Sequence, residues 1–359
     1  MNIFTLAVLP AMVAAVVAFF VTPFVIKLAE KIGIVDDPAK NKHPKVIHTY
    51  PVPRGGGLVI FLSLLITALI FIQVDKHLIG ILLGALILTI LGIVDDKYNL
   101  NPYFRLLICF AAAAIPVLSG IGIAYLSNPF TGSIYNLSHP QLVFNLFGST
   151  HSIWLLSDAF GLIWIVFLMN ILNMGAKGVD GQLPGVAAIA AIIIAVLSLR
   201  FATDTSQWPI IILAMITAGA FLGFLPWNIF PQKIMPGFSG STLAGYLLAI
   251  LSILSTAKVG LLFVVLAIPL IDTLYTIVRR IAGGRSPVWG DRGHLHHRFL
   301  DLGWSKTKVT LFYWLITALL GILALNLNTA TKLYTIGGIA LILGGLILWL
   351  KNLQTNDRG

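Results

Sequence analysis

The stretch Leu78-Ile79-Gly80-Ile81-Leu82-Leu83-Gly84-Ala85-Leu86-Ile87-Leu88-Thr89-Ile90-Leu91-Gly92-Ile93-Val94-Asp95-Asp96-Lys97 sets the reading of the whole chain. Residues 78–94 carry no charge, so as a helix they suit the hydrocarbon core of a bilayer, which is about 30 Å thick. Two carboxylates then close the run. At a helix C-terminus they oppose the macrodipole, so the pair is either a solvated helix end or a placed functional feature.

Working outward, similar apolar runs occur at roughly 3–26, 57–73, 104–126, 153–174, 183–200, 208–225, 241–254, 259–278, 309–326 and 333–350. Composition agrees: 58% of the 359 residues are apolar and 10% are charged, against about 25% charged in a soluble domain. The expected fold is an all-α, polytopic transmembrane bundle of about eleven spans in one domain. The 241–254 run is short enough to be re-entrant. The first run exceeds a signal h-region and lacks a basic segment before it, so it is expected to stay as a helix. The single cysteine, Cys109, excludes an internal disulfide and any cysteine-based metal motif.

Charge sets the orientation. With the N-terminus outside, inward connections at about 27–55, 95–105, 175–182, 226–240 and 279–308, plus the C-terminus, hold nineteen of the 23 Lys and Arg residues. Lys76, Arg200, Lys258 and Lys332 fall outside. Such a bias predicts N-out, C-in, with the charged connections facing the cytoplasm. The 127–152 connection lacks Lys and Arg and is expected outside as an irregular or hairpin segment. A net charge of +10 implies loop bias, anionic headgroups or an anionic substrate. No internal repeat is visible.

The inward loops also hold the unusual polar clusters. In His48-Thr49-Tyr50-Pro51-Val52-Pro53-Arg54-Gly55-Gly56-Gly57 the glycines make either a tight loop or a phosphate site, in which Arg54 lies beside open N–H groups at a helix start. The Asp36-Asp37 pair reads as an ordinary loop. The segment Asn170-Ile171-Leu172-Asn173-Met174-Gly175-Ala176-Lys177-Gly178-Val179-Asp180-Gly181 puts two amides on one helix face, costly in a membrane unless paired, and its glycines allow close approach to a ligand. Ser241, after Met235-Pro236-Gly237-Phe238-Ser239-Gly240, is a helix N-cap or part of an anion site. Asp291-Arg292-Gly293-His294-Leu295-His296-His297-Arg298 has histidines that suit zinc, but its arginines would repel a dication and fit phosphate better. A solvated loop is the third reading.

These clusters together resemble the polyprenyl-phosphate N-acetylhexosamine-1-phosphate transferase family, over nearly the whole chain and closest to its GlcNAc-type branch. The carriers are His48 to Gly56, Asp95-Asp96, Asn173 to Gly181, Asn228 to Ser241, Asp272-Thr273, Arg279-Arg280 and Asp291 to Arg298. The resemblance implies transfer of a sugar-1-phosphate from a UDP-sugar to a membrane polyprenyl phosphate, with release of UMP, as the first membrane step of cell-envelope glycan synthesis. It implies that Asp95 and Asp96 position the lipid phosphate and that His48 and Arg54 help hold phosphate. Gly178, Val179 and Asn228 would form a uridine pocket, Asp180 and Asn173 would line the reaction centre, and Ser241 would bind substrate. His294, His296 and His297 would bind pyrophosphate, with Arg292 and Arg298 as further substrate-binding residues. The expected partners are polyprenyl phosphate, a UDP-sugar, the bilayer and a second copy in a homodimer, with no nucleic acid.

Two positions depart from the family pattern. Lys177 stands where a first aspartate is expected, after one extra residue, and Phe238 stands where an aspartate would bind Mg²⁺. Mg²⁺ is therefore implied by the resemblance but opposed by these residues, with Asp95 or Asp180 as remaining candidate ligands. Two carboxylates lost and one ammonium gained nearly offset the charge of a lost Mg²⁺, so Lys177 is expected to replace the metal. The competing readings are an altered homologue that binds polyprenyl phosphate or nucleotide without turnover, and a transporter, which would need midplane ionisable residues.

Overall fold

The computed structural model describes residues 2–41, 46–128, 130–146, 149–255, 258–286 and 292–356. A short π-helical turn, Phe4–Val8, leads into α1 (Leu9–Ile32), which ends on Gly33 in the left-handed conformation. β1 (Val35–Asp36) pairs antiparallel with β2 (Val52–Pro53) ahead of α2 (Gly56–Phe71). α3 (Lys76–Tyr98) and α4 (Pro102–Leu118) follow, then two hairpins, β3 (Tyr125–Ser127) with β4 (Ile134–Asn136) and β5 (Gln141–Leu146) with β6 (Ser149–Trp154). The remaining helices are α5 (Leu155–Gly175), α6 (Gln182–Leu199), α7 (Trp208–Asn228), α8 (Gly237–Leu254), α9 (Lys258–Val265), α10 (Ala267–Ala282), α11 (Leu295–Asp301), α12 (Lys306–Ala324) and α13 (Thr329–Asn356).

Among the described residues, eight helices are long and apolar enough to cross a bilayer, or nine if α9 and α10, bent by 83° at Leu266, form one broken span. The shorter α2 and α4 are also apolar. The chain is thus a multi-pass helical membrane protein. Each of the eleven apolar runs falls on a helix or on the bent pair, but the run at 104–126 is helical only to Leu118. Pro116 lies in that last turn, the Ser119 hydroxyl donates to its carbonyl, and Gly120 takes φ +105°. Ile121 and Ile123 continue in non-helical backbone yet are buried, so hydropathy alone could not tell them from helix.

The short run at 241–254 proves to be the centre of the bundle. α8 starts four residues earlier, and its apolar stretch is 94% buried, against 11% for that of α13. Small residues let helices meet closely around it. A Cβ at Gly245 would lie 2.4 Å from the Leu168 carbonyl oxygen of α5, and Tyr246 donates to the Ile81 carbonyl of α3 at 3.0 Å. α1 packs on α7 by the same device, with Gly219 and Gly223 against the Ala11 and Ala15 carbonyls.

The helix ends bearing the polar motifs gather at one end of this bundle. Gly56 N–H donates to the Met235 carbonyl, Phe238 N–H to Asp96, Gly181 N–H to Asn228 Oδ1, and the Thr310 hydroxyl to the Asp180 carbonyl.

Candidate active site

That end encloses a cavity of about 630 Å³. Asp95 and Asp96 enter it from the end of α3, and Asn173, Lys177, Gly178, Val179 and Asp180 from the end of α5 and the turn after it. Asn228 comes from α7, His48 from the β1–β2 connection, Arg54 from the turn between β2 and α2, and His294, His296 and His297 from the start of α11. Thirteen of the sixteen residues singled out from sequence therefore line one space.

The two aspartates are held differently. Asp95 pairs with Arg105 at 3.0 Å and accepts the Leu100 N–H at 3.0 Å, so its carboxylate is tied to the turn between α3 and α4. Asp96 Oδ1 accepts the Phe238 N–H at 3.2 Å, at the N-terminal end of α8, where the helix dipole favours an anion. The Arg54 guanidinium is 3.9 Å away. Asp96 Oδ2 is buried and has no hydrogen-bond partner among the described residues. So the anion site at the start of α8 exists, and the protein's own carboxylate fills it.

The glycine-rich start of α2 does not offer open N–H groups. Gly56 and Gly57 donate to the carbonyls of Met235 and Pro236 at 3.0 Å. A Cβ at Gly57 would lie 2.1 Å from Ser239 Oγ, so these glycines serve helix packing. Arg54 itself pairs with Asp36, a residue that read as ordinary loop and instead lines the cavity. Burial alone would raise the Asp36 carboxyl, but Arg54 and the Asn41 amide outweigh it and hold it below the usual range. Two-residue strands leave no readable period, so nothing in the sequence pairs Asp36 with Arg54, the residue that follows β2.

Lys177 Nζ donates to Asn173 Oδ1 at 2.8 Å and lies 3.4 Å from the Gly237 carbonyl. Ser241 Oγ also donates to Asn173 Oδ1, at 2.8 Å. Ser241 is therefore not the N-cap of α8, which begins at Gly237. It stands behind the cavity and fixes Asn173. Asp180 Oδ1 is 3.4 Å from Lys306, a residue at the start of α12 that the motifs did not reveal, and Asp180 Oδ2 is buried with no hydrogen-bond partner among the described residues. Asn228 donates to Gln232 Oε1 and to the Ile234 carbonyl, so its amide braces the 228–236 loop.

The histidine motif divides. His294 Nδ1 donates to Asp272 Oδ2 at 2.8 Å, and the other carboxylate oxygen accepts the Leu295 N–H. His296 packs on Gly178 so closely that a Cβ there would lie 2.2 Å from the ring; this glycine admits a histidine rather than a ligand. Burial pushes the His296 imidazole well below its usual range, and burial with the charge of Arg292 pushes His297 down to about 4. Both rings are therefore neutral at pH 7 and can act as hydrogen-bonding groups, not as added charge. Their Nδ1 atoms have no hydrogen-bond partner among the described residues. The two arginines are not cavity residues. Arg292 pairs with Asp301 at 2.7 Å in an exposed position, and Arg298 is buried on the Gly293 and Ile347 carbonyls, over the Tyr275 ring. Asp291 lies outside the described residues.

Residues 78–256 match the model of glycosyl transferase family 4. The chain is 32% identical over 335 residues to the probable undecaprenyl-phosphate N-acetylglucosaminyl 1-phosphate transferase of Bacillus subtilis, covering 89% of this chain and 87% of that protein. It is 28% identical to the decaprenyl-phosphate N-acetylglucosaminephosphotransferase of Mycolicibacterium smegmatis (95% and 86% covered) and 27% identical to the phospho-N-acetylmuramoyl-pentapeptide-transferase of Staphylococcus aureus (88% and 97% covered). With the motif clusters joined in one cavity and similarity along nearly its full length, the chain belongs to the polyprenyl-phosphate N-acetylhexosamine-1-phosphate transferase family.

Proposed function

We propose that this protein transfers GlcNAc-1-phosphate from UDP-GlcNAc to a polyprenyl phosphate in the bilayer and releases UMP. The observation that carries the reading is the cavity at one end of an apolar bundle in which Arg54, Lys177, Asp96, Asp180 and the histidines converge. A lipid phosphate can enter there from the membrane and a nucleotide from water. The three relatives act, by their names, on undecaprenyl or decaprenyl phosphate with N-acetylglucosamine, or on a phospho-N-acetylmuramoyl-pentapeptide.

In the reaction, an oxygen of the lipid phosphate attacks the sugar-bearing phosphorus. A new P–O bond forms there, the bridging bond to the uridine-bearing phosphate breaks, and UMP leaves with that electron pair. The total charge is unchanged and no proton is consumed. A phosphomonoester has a second pKa near 6, so the nucleophile needs positioning more than deprotonation. Asp96, fixed by α8 and Arg54, is suited to orient it. Catalysis then rests on alignment and on cations that meet the phosphates. Eleven spans, N-terminus outside, would put the cavity on the cytoplasmic side of the inner membrane, in accord with the loop charge bias.

The test is UMP release by detergent-purified protein given undecaprenyl phosphate and UDP-GlcNAc. Release that requires both substrates, and that falls at least tenfold with UDP-glucose, is expected. Absence of release with every UDP-sugar would overturn the reading and leave a non-catalytic binding protein.

A further inference from the structure

We propose that Lys177 is the built-in cation for the sugar-nucleotide diphosphate, at the place where the family resemblance implies Mg²⁺; the proposal rests on the transferase reading. The residues present do not fit a divalent ion. The expected ligand position is Phe238, whose ring packs under the Arg105 guanidinium, 4.9 Å from its centroid. Asn173 Oδ1, a neutral oxygen of the same cavity wall, already accepts from Lys177 and Ser241, both at 2.8 Å. Of the remaining carboxylates, Asp95 pairs with Arg105, Asp180 Oδ1 with Lys306, and Asp96 Oδ1 accepts the Phe238 N–H beside Arg54. No three His, Cys, Asp or Glu side chains among the described residues are grouped to hold an ion.

Lys177, by contrast, is placed to do electrostatic work. Its ammonium is anchored between the end of α5 and the Gly237 carbonyl, on the same short segment whose next N–H holds Asp96. The carboxylate assigned to orient the lipid phosphate and the ammonium assigned to the diphosphate are thus fixed by one backbone joint. An ammonium is a compact, strongly hydrated point charge and an established partner of phosphate oxygens. Positioned in advance, it stabilises charge on the leaving phosphate without reorganisation. A dication beside it would be repelled.

The decisive measurement is UMP binding by calorimetry to the full-length protein in detergent, with Mg²⁺ and with excess EDTA, alongside UMP release. Wild type should bind within twofold equally in both conditions and keep its turnover in EDTA. Lys177→Met should weaken binding at least tenfold in both, while Lys177→Arg keeps most of the affinity and shows that the site still folds. Lys177→Asp should lose turnover without gaining Mg²⁺ dependence, whereas Lys177→Asp combined with Phe238→Asp should bind UMP only with Mg²⁺. Wild-type binding lost in EDTA, or a Lys177→Met protein that binds like wild type, overturns the assignment. Metal-independent UMP binding through Lys177 without any UMP release instead overturns the transferase reading alone. A wild type that neither binds nor releases UMP overturns both.

Discussion

Asp96 and Phe238 are joined by a 3.2 Å hydrogen bond from the Phe238 N–H to the Asp96 carboxylate, across the meeting point of the α3 C-terminus and the α8 N-terminus. A carboxylate at the end of its own helix meets a negative dipole end; here the positive end of a second helix offsets it. The residue that makes the joint possible is Gly237. It takes φ +70°, and a Cβ there would lie 2.1 Å from Asp96 Oδ2.

Gly237→Ala should therefore push Asp96 aside. The left-handed backbone costs an alanine about 1–2 kcal/mol, which the bundle can bear, while a shift of about 1 Å at a positioning group can cost about a hundredfold in rate. The expected protein is folded by size-exclusion chromatography, with UMP release reduced at least thirtyfold. Release within threefold of wild type would show that Asp96 does not need its present position.

The Arg54–Asp36 pair predicts an asymmetry within an acidic doublet. Asp36 holds Arg54 at the cavity, whereas the Asp37 carboxylate accepts the N–H of Ala39 in a local turn. Asp36→Asn should raise KM for polyprenyl phosphate about tenfold by loosening Arg54, and Asp37→Asn should stay within twofold. Equal effects from the two changes would sink this division of roles.

How much of this was readable beforehand follows from period and distance in the chain. The apolar helices, the acid pair of α3 and the clusters that meet in the cavity were legible, because long apolar runs and local motifs carry their own signal; the number of runs that cross the bilayer was not, since α2 and α4 are short and α9 and α10 bend by 83°. Pairings between distant elements were not. Nothing near Lys306 in the chain points to Asp180, and nothing near Gly57 announces Ser239. Arg298 looked like a phosphate ligand because its neighbours are histidines, but α11 is helical, and its turn carries this guanidinium onto backbone carbonyls instead. The start of α8 was misplaced by four residues because Gly237 and Gly240 obscure the apolar pattern, so Ser241 passed for a cap.

Burial of neutral histidines gives stability a pH dependence. The His297 imidazole is pushed from its usual value near 6.5 down to about 4, by burial first and then by Arg292 and His294, against the opposing pull of Asp301 and Asp272. His296 shifts in the same direction. The unfolded chain therefore binds these protons at a higher pH than the folded one, and stability falls as pH drops from about 6.5 toward 4. The melting temperature in detergent should decline across that window, and His297→Gln should flatten part of the decline. An unchanged melting temperature between pH 7 and 5 would contradict neutral burial.

Asp272, buried on α10, touches the cavity only through the start of α11. Its two oxygens hold His294 Nδ1 and the Leu295 N–H, both at 2.8 Å, and so fix both the ring and the start of α11 that carries His296 and His297. A carboxylate only accepts, so the proton between the two is on Nδ1, and the ring is locked in one orientation at the cavity. Asp272→Asn can keep one acceptor oxygen but presents an N–H₂ to the other partner, leaving either the imidazole or the Leu295 amide mismatched. Because Asp272 acts through His294, its loss should appear in turnover more than in binding. We expect kcat for UMP release to fall about a hundredfold with KM for UDP-GlcNAc changed less than fivefold. Asp272→Glu should recover part of the rate, since a longer carboxylate can still accept from Nδ1. If Asp272→Asn instead raised KM alone, the aspartate would be holding the nucleotide-binding surface together rather than orienting His294 for the reaction.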